Sequence, residues 1–397
     1  MGRTKQRSKK ASKAEAHAAT TPAPSTSAQQ PTSITVDDLL VQSAELIASL
    51  NYDGAKQHCL HAIELATRAA QDKPEDADPR MLRDALEILG TIELELSEVD
   101  EAREHFALSI QLASSLPDPS PAPHLYLAQL AQTPQESLAH FGSALAILEA
   151  KLAAMEQAKL GGDGGAGAQE DAEDEGEIRR SASRALVGMT ELYLTDLCFE
   201  PDAEQNCEKY LAQAAAMDPT DPEVYQTLAS VRLSQQRDED AKAALNQGWE
   251  LWRNLEAESP AYPPAASRLT CAKLFLELGV HVEALEILHQ LEGEDDENPE
   301  VWYLSGWAWW LLGESRADKS ATDDEESQAE CWSEAKLCLQ NYLALEERDS
   351  SETDAEQMKH VQELLGKLDA AGVVASAGAA EGDAEWEDAS EDEAMEE

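Results

Sequence analysis

The sequence predicts an all-α protein built from helical hairpins that stack into a solenoid. Alanine and leucine dominate the 397 residues while valine and isoleucine are scarce, and this composition favours helix over strand. From Leu39 onward apolar residues recur at helical spacing, and a large residue followed by a small one returns in successive segments. Hydrophobic residues make up 42% of the chain, enough to bury the core that such an array needs.

Composition divides the chain into six regions. The first, residues 1–33, is basic and then rich in Pro, Ser, Thr and Gln, so we expect it to be disordered. Helix should begin where Ser33 or Thr35 caps a turn that contains Asp37 and Asp38. The other predicted regions are three hairpins over 34–160, a flexible Gly/acidic linker over 161–178, four hairpins over 179–347 with an acidic insertion at 314–327, a capping helix over 352–371, and a disordered acidic tail over 372–397.

The best-preserved hairpin begins at Pro222-Glu-Val-Tyr225 and continues with Leu228-Ala229. It resembles the tetratricopeptide repeat (TPR), in which small residues let two antiparallel helices touch. The last hairpin begins in the same way, at Asn298-Pro-Glu-Val-Trp302 with Ser305-Gly306 after it. Small landmark residues mark about seven repeats, at intervals that depart from the usual ~34 residues: Ala55, Ala102, Ser137, Cys207, Ala241, Ala284 and Ala335. The TPR resemblance implies a superhelix whose concave groove is lined by the first helix of each hairpin.

The charge of the chain points to a basic protein as its partner. It carries 79 acidic and 30 basic side chains, for a formal net charge of −49. Repulsion by phosphates excludes direct binding of nucleic acid or an anionic membrane through the body of the protein, whereas a cationic polypeptide would be attracted. No uninterrupted apolar run reaches the ~18 residues of a membrane span, since Val301–Leu312 is broken by Ser305 and Gly306. We therefore expect no membrane partner.

Residue patterns that carry enzymatic chemistry are missing from the sequence. It contains no HExxH, no phosphate-binding GxxxxGK[ST], no GxSxG and no dinucleotide fingerprint, and the Gly-rich stretch 161–167 leads into acidic residues. His58 and His61 have a spacing that suits two metal ligands, but with no third ligand in sight ordinary surface histidines are favoured. The six cysteines form no CxxC pair and are interpreted as reduced core thiols. We expect no enzyme activity, cofactor or metal.

A helical projection of each hairpin's first helix predicts which side chains line the groove. In the last hairpin Trp302 and Trp309 fall on the packing face, and the residues toward the groove are Tyr303, Trp307 and Trp310. These three either form an aromatic platform for Arg or Lys of a partner, or pack against the capping helix. The acidic residues predicted at the groove are Asp84, Glu87, Glu95, Glu223, Glu277 and Glu300. TPR co-chaperones of the heat-shock chaperones hold acidic C-terminal tails with a clamp of basic residues on these helices. The corresponding inner positions here include Leu40 and Thr91 and form no such clamp, so the sequence does not favour that function.

The ends of the chain add two candidate features. The basic start, Arg3, Lys5, Arg7, Lys9, Lys10 and Lys13, suits a nuclear-import signal read by an import receptor, or a solubilising disordered terminus. Near the other end, Ser390 precedes Glu391-Asp-Glu393 and suits phosphorylation by an acid-directed kinase.

The basic start, the acidic body of about seven repeats, the Trp-rich last hairpin and a tail containing Trp386-Glu-Asp-Ala-Ser-Glu-Asp-Glu393 together resemble the fungal dedicated assembly chaperones of the large-subunit ribosomal protein uL-four. The resemblance implies a non-enzymatic chaperone that shields the long basic internal loop of its client. It further implies one-to-one binding, shuttling between cytoplasm and nucleus, and delivery of the client to the precursor of the large ribosomal subunit. Two other functions stay open: an acidic histone chaperone with interrupted TPRs, and a TPR scaffold without a basic client.

Overall fold

The computed structural model describes residues 34–73, 77–114, 116–160, 168–317, 327–348 and 354–376. For residue 160 and residues 168–174 it describes the backbone alone. Over these residues the chain is helical throughout, which confirms the predicted all-α class. The fifteen helices of the described residues are α1 (Val36–Ala48), α2 (Tyr52–Asp72), α3 (Pro79–Glu95), α4 (Val99–Ala113), α5 (Ala122–Gln129), α6 (Pro134–Leu160), α7 (Ala168–Leu194), α8 (Ala203–Met217), α9 (Pro222–Ser234), α10 (Asp238–Glu250), α11 (Ala265–Glu277), α12 (His281–Glu294), α13 (Pro299–Arg316), α14 (Gln328–Arg348) and α15 (Ala355–Ala370).

Short connections fold consecutive helices into hairpins, and α15 follows the last of them. The glycines at the predicted contact points explain how closely the two helices of a hairpin approach. A Cβ atom on Gly90 would lie 2.7 Å from the Phe106 ring, and one on Gly306 would lie 2.7 Å from the side chain of Leu339. Only a residue without a side chain fits these crossings.

The chain separates into two compact units, Met1–Ala85 and Leu86–Glu397, and the division falls within α3. In the first unit, Thr35 caps α1 through a reciprocal capping box with Asp38, as the sequence predicts. Its apolar core contains Leu39, Ala62 and Ala85. Burying these small and medium side chains joins α1, α2 and the first turns of α3.

In the second unit, apolar side chains fill the interior of each hairpin and the space between neighbouring hairpins. The largest cluster runs from α9 to α14 and includes Trp249, Trp252 and Phe275. First helices also contact one another in succession, α7 with α9, α9 with α11, and α11 with α13, and no comparable contacts join α8, α10, α12 and α14 within the described residues. This closer approach identifies the first helices as the inner layer of the unit.

Two predicted boundaries differ from the structure. The linker predicted over 161–178 is helical from Ala168 onward, because acidic residues suit the first turns of a helix and Glu175 forms ion pairs with Lys159 and Arg179. The acidic tail predicted to be disordered from residue 372 begins with a docked segment. Ser333 donates a hydrogen bond to the carbonyl of Val374 at 2.8 Å, and Val373 packs against the apolar cluster of α14 and α15. Residues 377–397 lie outside the described part of the chain.

One helix of the described residues is long and apolar enough to cross a membrane by length and composition alone, the segment Pro134–Lys159 of α6, with a mean hydropathy of 1.3. This segment contains no long uninterrupted apolar run, because charged residues such as Glu149 and Lys151 fall between its alanines and leucines. The helix packs against α5 and α7 through buried Ala144 and Leu148. Its apolar residues therefore also serve the hairpin core.

Candidate protein-binding surface

The first helices of the second unit present the predicted acidic residues with different surroundings. Glu300 at the start of α13 pairs with Lys273 of α11 at 2.7 Å, so its charge is neutralised across neighbouring hairpins. Glu277, the last residue of α11, is exposed. Glu223 in the first turn of α9 is half-buried, and burial followed by the nearby carboxylates of Asp221 and Glu191 raises its pKa. Burial therefore makes Glu223 costly to ionise in the unbound protein.

The three acidic residues predicted on α3 also differ from one another. Asp84 belongs to the first unit and is paired with Arg83 at 2.7 Å. Glu87 accepts a hydrogen bond from the hydroxyl of Ser109 on α4 at 2.8 Å, so it takes part in the packing of its own hairpin. Glu95 is exposed at the end of α3. Asp84 and Glu87 are therefore already engaged by neighbouring side chains.

The predicted aromatic residues form one cluster with the last two helices. The Tyr303 hydroxyl lies 2.9 Å from Nδ1 of His360 on α15, and the His360 ring packs edge-on against Trp307. Trp310 stacks on Trp332 of α14, and Nζ of Lys367 lies 5.5 Å from the centre of the Trp310 ring. All three predicted residues are half-buried. Each of the three therefore packs against α14 or α15, which agrees with the interpretation as packing residues. Part of each side chain remains exposed.

Several predicted site residues lie outside the part of the chain that the structure describes. They are the six basic residues of the start, Arg3, Lys5, Arg7, Lys9, Lys10 and Lys13, and the candidate phosphorylation site Ser390. Their roles stay predictions.

The sequence analysis missed the neighbours of Glu223. Asp221, Arg184 and Glu191 lie close enough to Glu223 to influence its pKa. Asp221 is detectable as the N-cap of α9, because its side chain accepts a hydrogen bond from the backbone N–H of Glu223. Arg184 and Glu191 gave no such signal, since they lie on α7 in the most irregular stretch of repeats.

Metal-binding groups are not found among the described residues: no cluster of three or more His, Cys, Asp or Glu has a suitable arrangement. His58 and His61 are on the surface of α2 and flank the buried thiol of Cys59. None of the six cysteines forms a disulfide in the described residues, and five of them are buried. Burial raises the pKa of Cys271 to about 12, so this thiol stays protonated and serves packing.

An array of helical hairpins with small residues at the crossings, an inner layer of first helices and acidic side chains on that layer defines a TPR-type protein-binding solenoid. No protein-family model matches the sequence. Two curated relatives cover almost the whole chain. The first, a "probable assembly chaperone of rpl4" of Schizosaccharomyces pombe, is 31% identical over 360 residues, which are 90% of this chain and 99% of the relative. The second, of the same description from Emericella nidulans, is 30% identical over 88% of this chain and 87% of its own length.

A solved structure agrees with these relatives. The chain described as "Assembly Chaperone of RpL4 (Acl4) (Residues 1-338)" superposes with a TM-score of 0.64 and 32% identity, over 72% of this chain and the whole of that one. The protein therefore belongs to the family of assembly chaperones of rpl4, as the sequence resemblance implied.

Proposed function

We propose that this protein is a dedicated chaperone of rpl4, the uL-four client implied by the sequence resemblance. The observation that carries the proposal is the alignment over 90% of this chain and 99% of a relative described as an rpl4 assembly chaperone. The net charge of −49 supports it independently, because a ribosomal protein that binds RNA must be rich in Arg and Lys.

The inner layer of first helices is the proposed binding surface, with the long basic internal loop of rpl4 as the segment it holds. Support for this surface comes from the successive contacts between α7, α9, α11 and α13, three of which carry the predicted acidic residues Glu223, Glu277 and Glu300. Such a surface offers the loop negative charge in place of the RNA it later binds, and thereby keeps it from aggregating. In this role the protein performs no catalysis and binds its client one to one.

Escort of the client is the second part of the proposal. The basic residues between Arg3 and Lys13 would be read by an import receptor, so that the complex passes from cytoplasm to nucleus and rpl4 joins the precursor of the large subunit. A variant with these six residues changed to alanine tests this step by fluorescence microscopy. Retention of the variant in the cytoplasm is expected, and unchanged nuclear accumulation would refute this role of the start.

Affinity purification of the full chain, followed by mass spectrometry at low and at moderate salt, tests the choice of client. We expect rpl4 to dominate the proteins recovered. Recovery of core histones instead would favour the histone-chaperone alternative, and recovery of neutral proteins would favour a general scaffold.

A further inference from the structure

A pocket of about 510 Å³ opens in the second unit between α5, α6, α7 and α9. Its apolar wall contains Leu125, Tyr126 and Phe141. The lining also contains charged side chains of two first helices, Arg184 and Glu191 of α7 and Glu223 of α9. A lining of apolar side chains with a few charged groups is the usual composition of a site that binds a ligand.

The irregular third hairpin explains why the pocket exists. Helix α5 has 8 residues, whereas α9 and α11 each have 13, so α5 leaves part of α7 uncovered. The position of α7 is fixed by Gly188, where a Cβ would lie 2.6 Å from the Phe141 ring. A second cavity of about 520 Å³ shares Phe141, Gly188 and Glu191 with the pocket, so the depression continues along α7.

Asp221, the N-cap of α9 next to the pocket-lining Glu223, is a neighbouring carboxylate with incomplete hydrogen bonding in the described residues. Asp221 is only 7% exposed, and its Oδ1 accepts the backbone N–H of Glu223 at 3.0 Å. The other oxygen, Oδ2, has no hydrogen-bond partner among the described residues. A buried carboxylate oxygen without a partner costs free energy, which a nearby cation would offset.

The carboxyl groups of Glu191, Asp221 and Glu223 share the direction of their pKa shifts. Burial is the largest cause in each case and raises the pKa of Glu191, Asp221 and Glu223. Arg184 acts in the opposite direction on Asp221 and Glu223, but the net direction stays upward for both. Independently of these pKa shifts, the pocket lining contains two carboxyl groups, Glu191 and Glu223, and one arginine, so there is a carboxyl group for one further cation.

We propose that this pocket receives one Arg or Lys side chain of the bound protein. The cationic head lies between Glu191 and Glu223, and its methylene stem lies along Leu125 and Tyr126. The identification of the occupant follows from complementarity with a lining that contains both apolar side chains and carboxylates, since Arg and Lys combine a methylene stem with a cationic head. It rests on the proposed function in that the side chain is supplied by the basic client.

Arg184 is a cation that the pocket lining itself contributes. It is exposed, and it lies on the same helix as Glu191 and lines the same pocket, so we expect it to compete with the incoming side chain for the carboxylates. Removing its charge should therefore strengthen binding, while removing the carboxylates should weaken it. A role in folding alone would not give opposite effects on binding.

Fluorescence anisotropy at one fixed salt concentration tests the proposal with two probes, purified rpl4 and a nona-arginine peptide. The E191Q/E223Q variant should bind each probe about 30-fold more weakly, and R184Q should bind each about 3-fold more tightly. The matched control is E256Q/E258Q, which changes the net charge by the same amount in the exposed connection between α10 and α11. It should stay within about 3-fold of the original protein, because only screened long-range attraction is lost.

The outcomes separate this proposal from the proposed function. If the original protein binds rpl4 and E191Q/E223Q loses no more affinity than the control, the pocket proposal is overturned and the function stands. If the original protein does not bind rpl4, the proposed function fails, and the peptide still decides for or against the pocket. Melting curves are recorded for each variant. Because burial raises the pKa values of Glu191 and Glu223, replacing these two carboxyl groups with neutral amides should not lower the melting temperature.

Discussion

Trp310 of α13 stacks face to face on Trp332 of α14, with ring centroids 5.0 Å apart and planes inclined by 5°. The pair lies near α15, since Nζ of Lys367 on that helix lies 5.5 Å from the centre of the Trp310 ring. Stacked aromatic rings contribute beyond the area they bury, so this contact holds the two helices of the hairpin together. Trp310 is thus a structural residue whatever it offers to a partner.

Replacing Trp310 with alanine should destabilise the protein. We expect a loss of about 2 kcal/mol, below the range for a fully buried Trp because the side chain is half-exposed. Thermal unfolding followed by circular dichroism measures it. Phe199→Ala serves as the control, since Phe199 is 97% exposed and its removal should leave the melting temperature unchanged. A W310A protein that melts like the original while losing affinity for rpl4 would instead support the aromatic platform predicted from the sequence.

Gly306→Ala should also destabilise the last hairpin, by about 1–3 kcal/mol. The added Cβ would lie 2.7 Å from the Leu339 side chain and 3.3 Å from the backbone oxygen of Ala335, so α13 and α14 must move apart. Gly142→Ala in α6 is the matched change, because a Cβ there meets nothing within 4 Å. It should stabilise the protein by about 0.5–1 kcal/mol through helix propensity. Equal effects of the two substitutions on the melting temperature would contradict this description of the hairpin contact.

The affinity for rpl4 should rise with pH in the acidic range. In the unbound protein the pKa values of Glu191 and Glu223 are raised, chiefly by burial, and a bound cation would lower them. Binding therefore releases protons, which means that affinity increases as pH rises through the unbound pKa values and levels off above them. Anisotropy titrations between about pH 5 and pH 7 measure this dependence. It should be much weaker in E191Q/E223Q, and an equal dependence in both proteins would assign the effect to other carboxylates.

The sequence was sufficient to predict the hairpins because their determinants are local. Gly90 and Gly306 mark helix crossings, and Thr35 with Asp38 marks a helix start. The start of α7 was misplaced because a Gly/acidic composition is typical of linkers, while the ion pair of Glu175 with Lys159, which joins α7 to α6, depends on the fold. Tertiary contacts override local composition in such cases.

The pocket could not be predicted for the same reason. Glu223 was found because it occupies a defined position of a regular repeat, whereas Glu191 and Arg184 meet it only after the short α5 and the long α7 are placed in space. Likewise, the contact of Tyr303 with His360 joins residues that are 57 positions apart. Side-chain orientation on one helix is readable from its period, but the element that covers it is not.

The dissociation constant of the purified protein with rpl4, measured at increasing salt concentrations, tests the central claim most directly. The claim is that an acidic surface binds this basic client, and screening over about 8 Å at physiological ionic strength should weaken such attraction. We expect tight binding at low salt that weakens at least ~10-fold by about 0.3 M salt. Absence of binding to rpl4 at low salt, or an affinity independent of salt, would contradict the account.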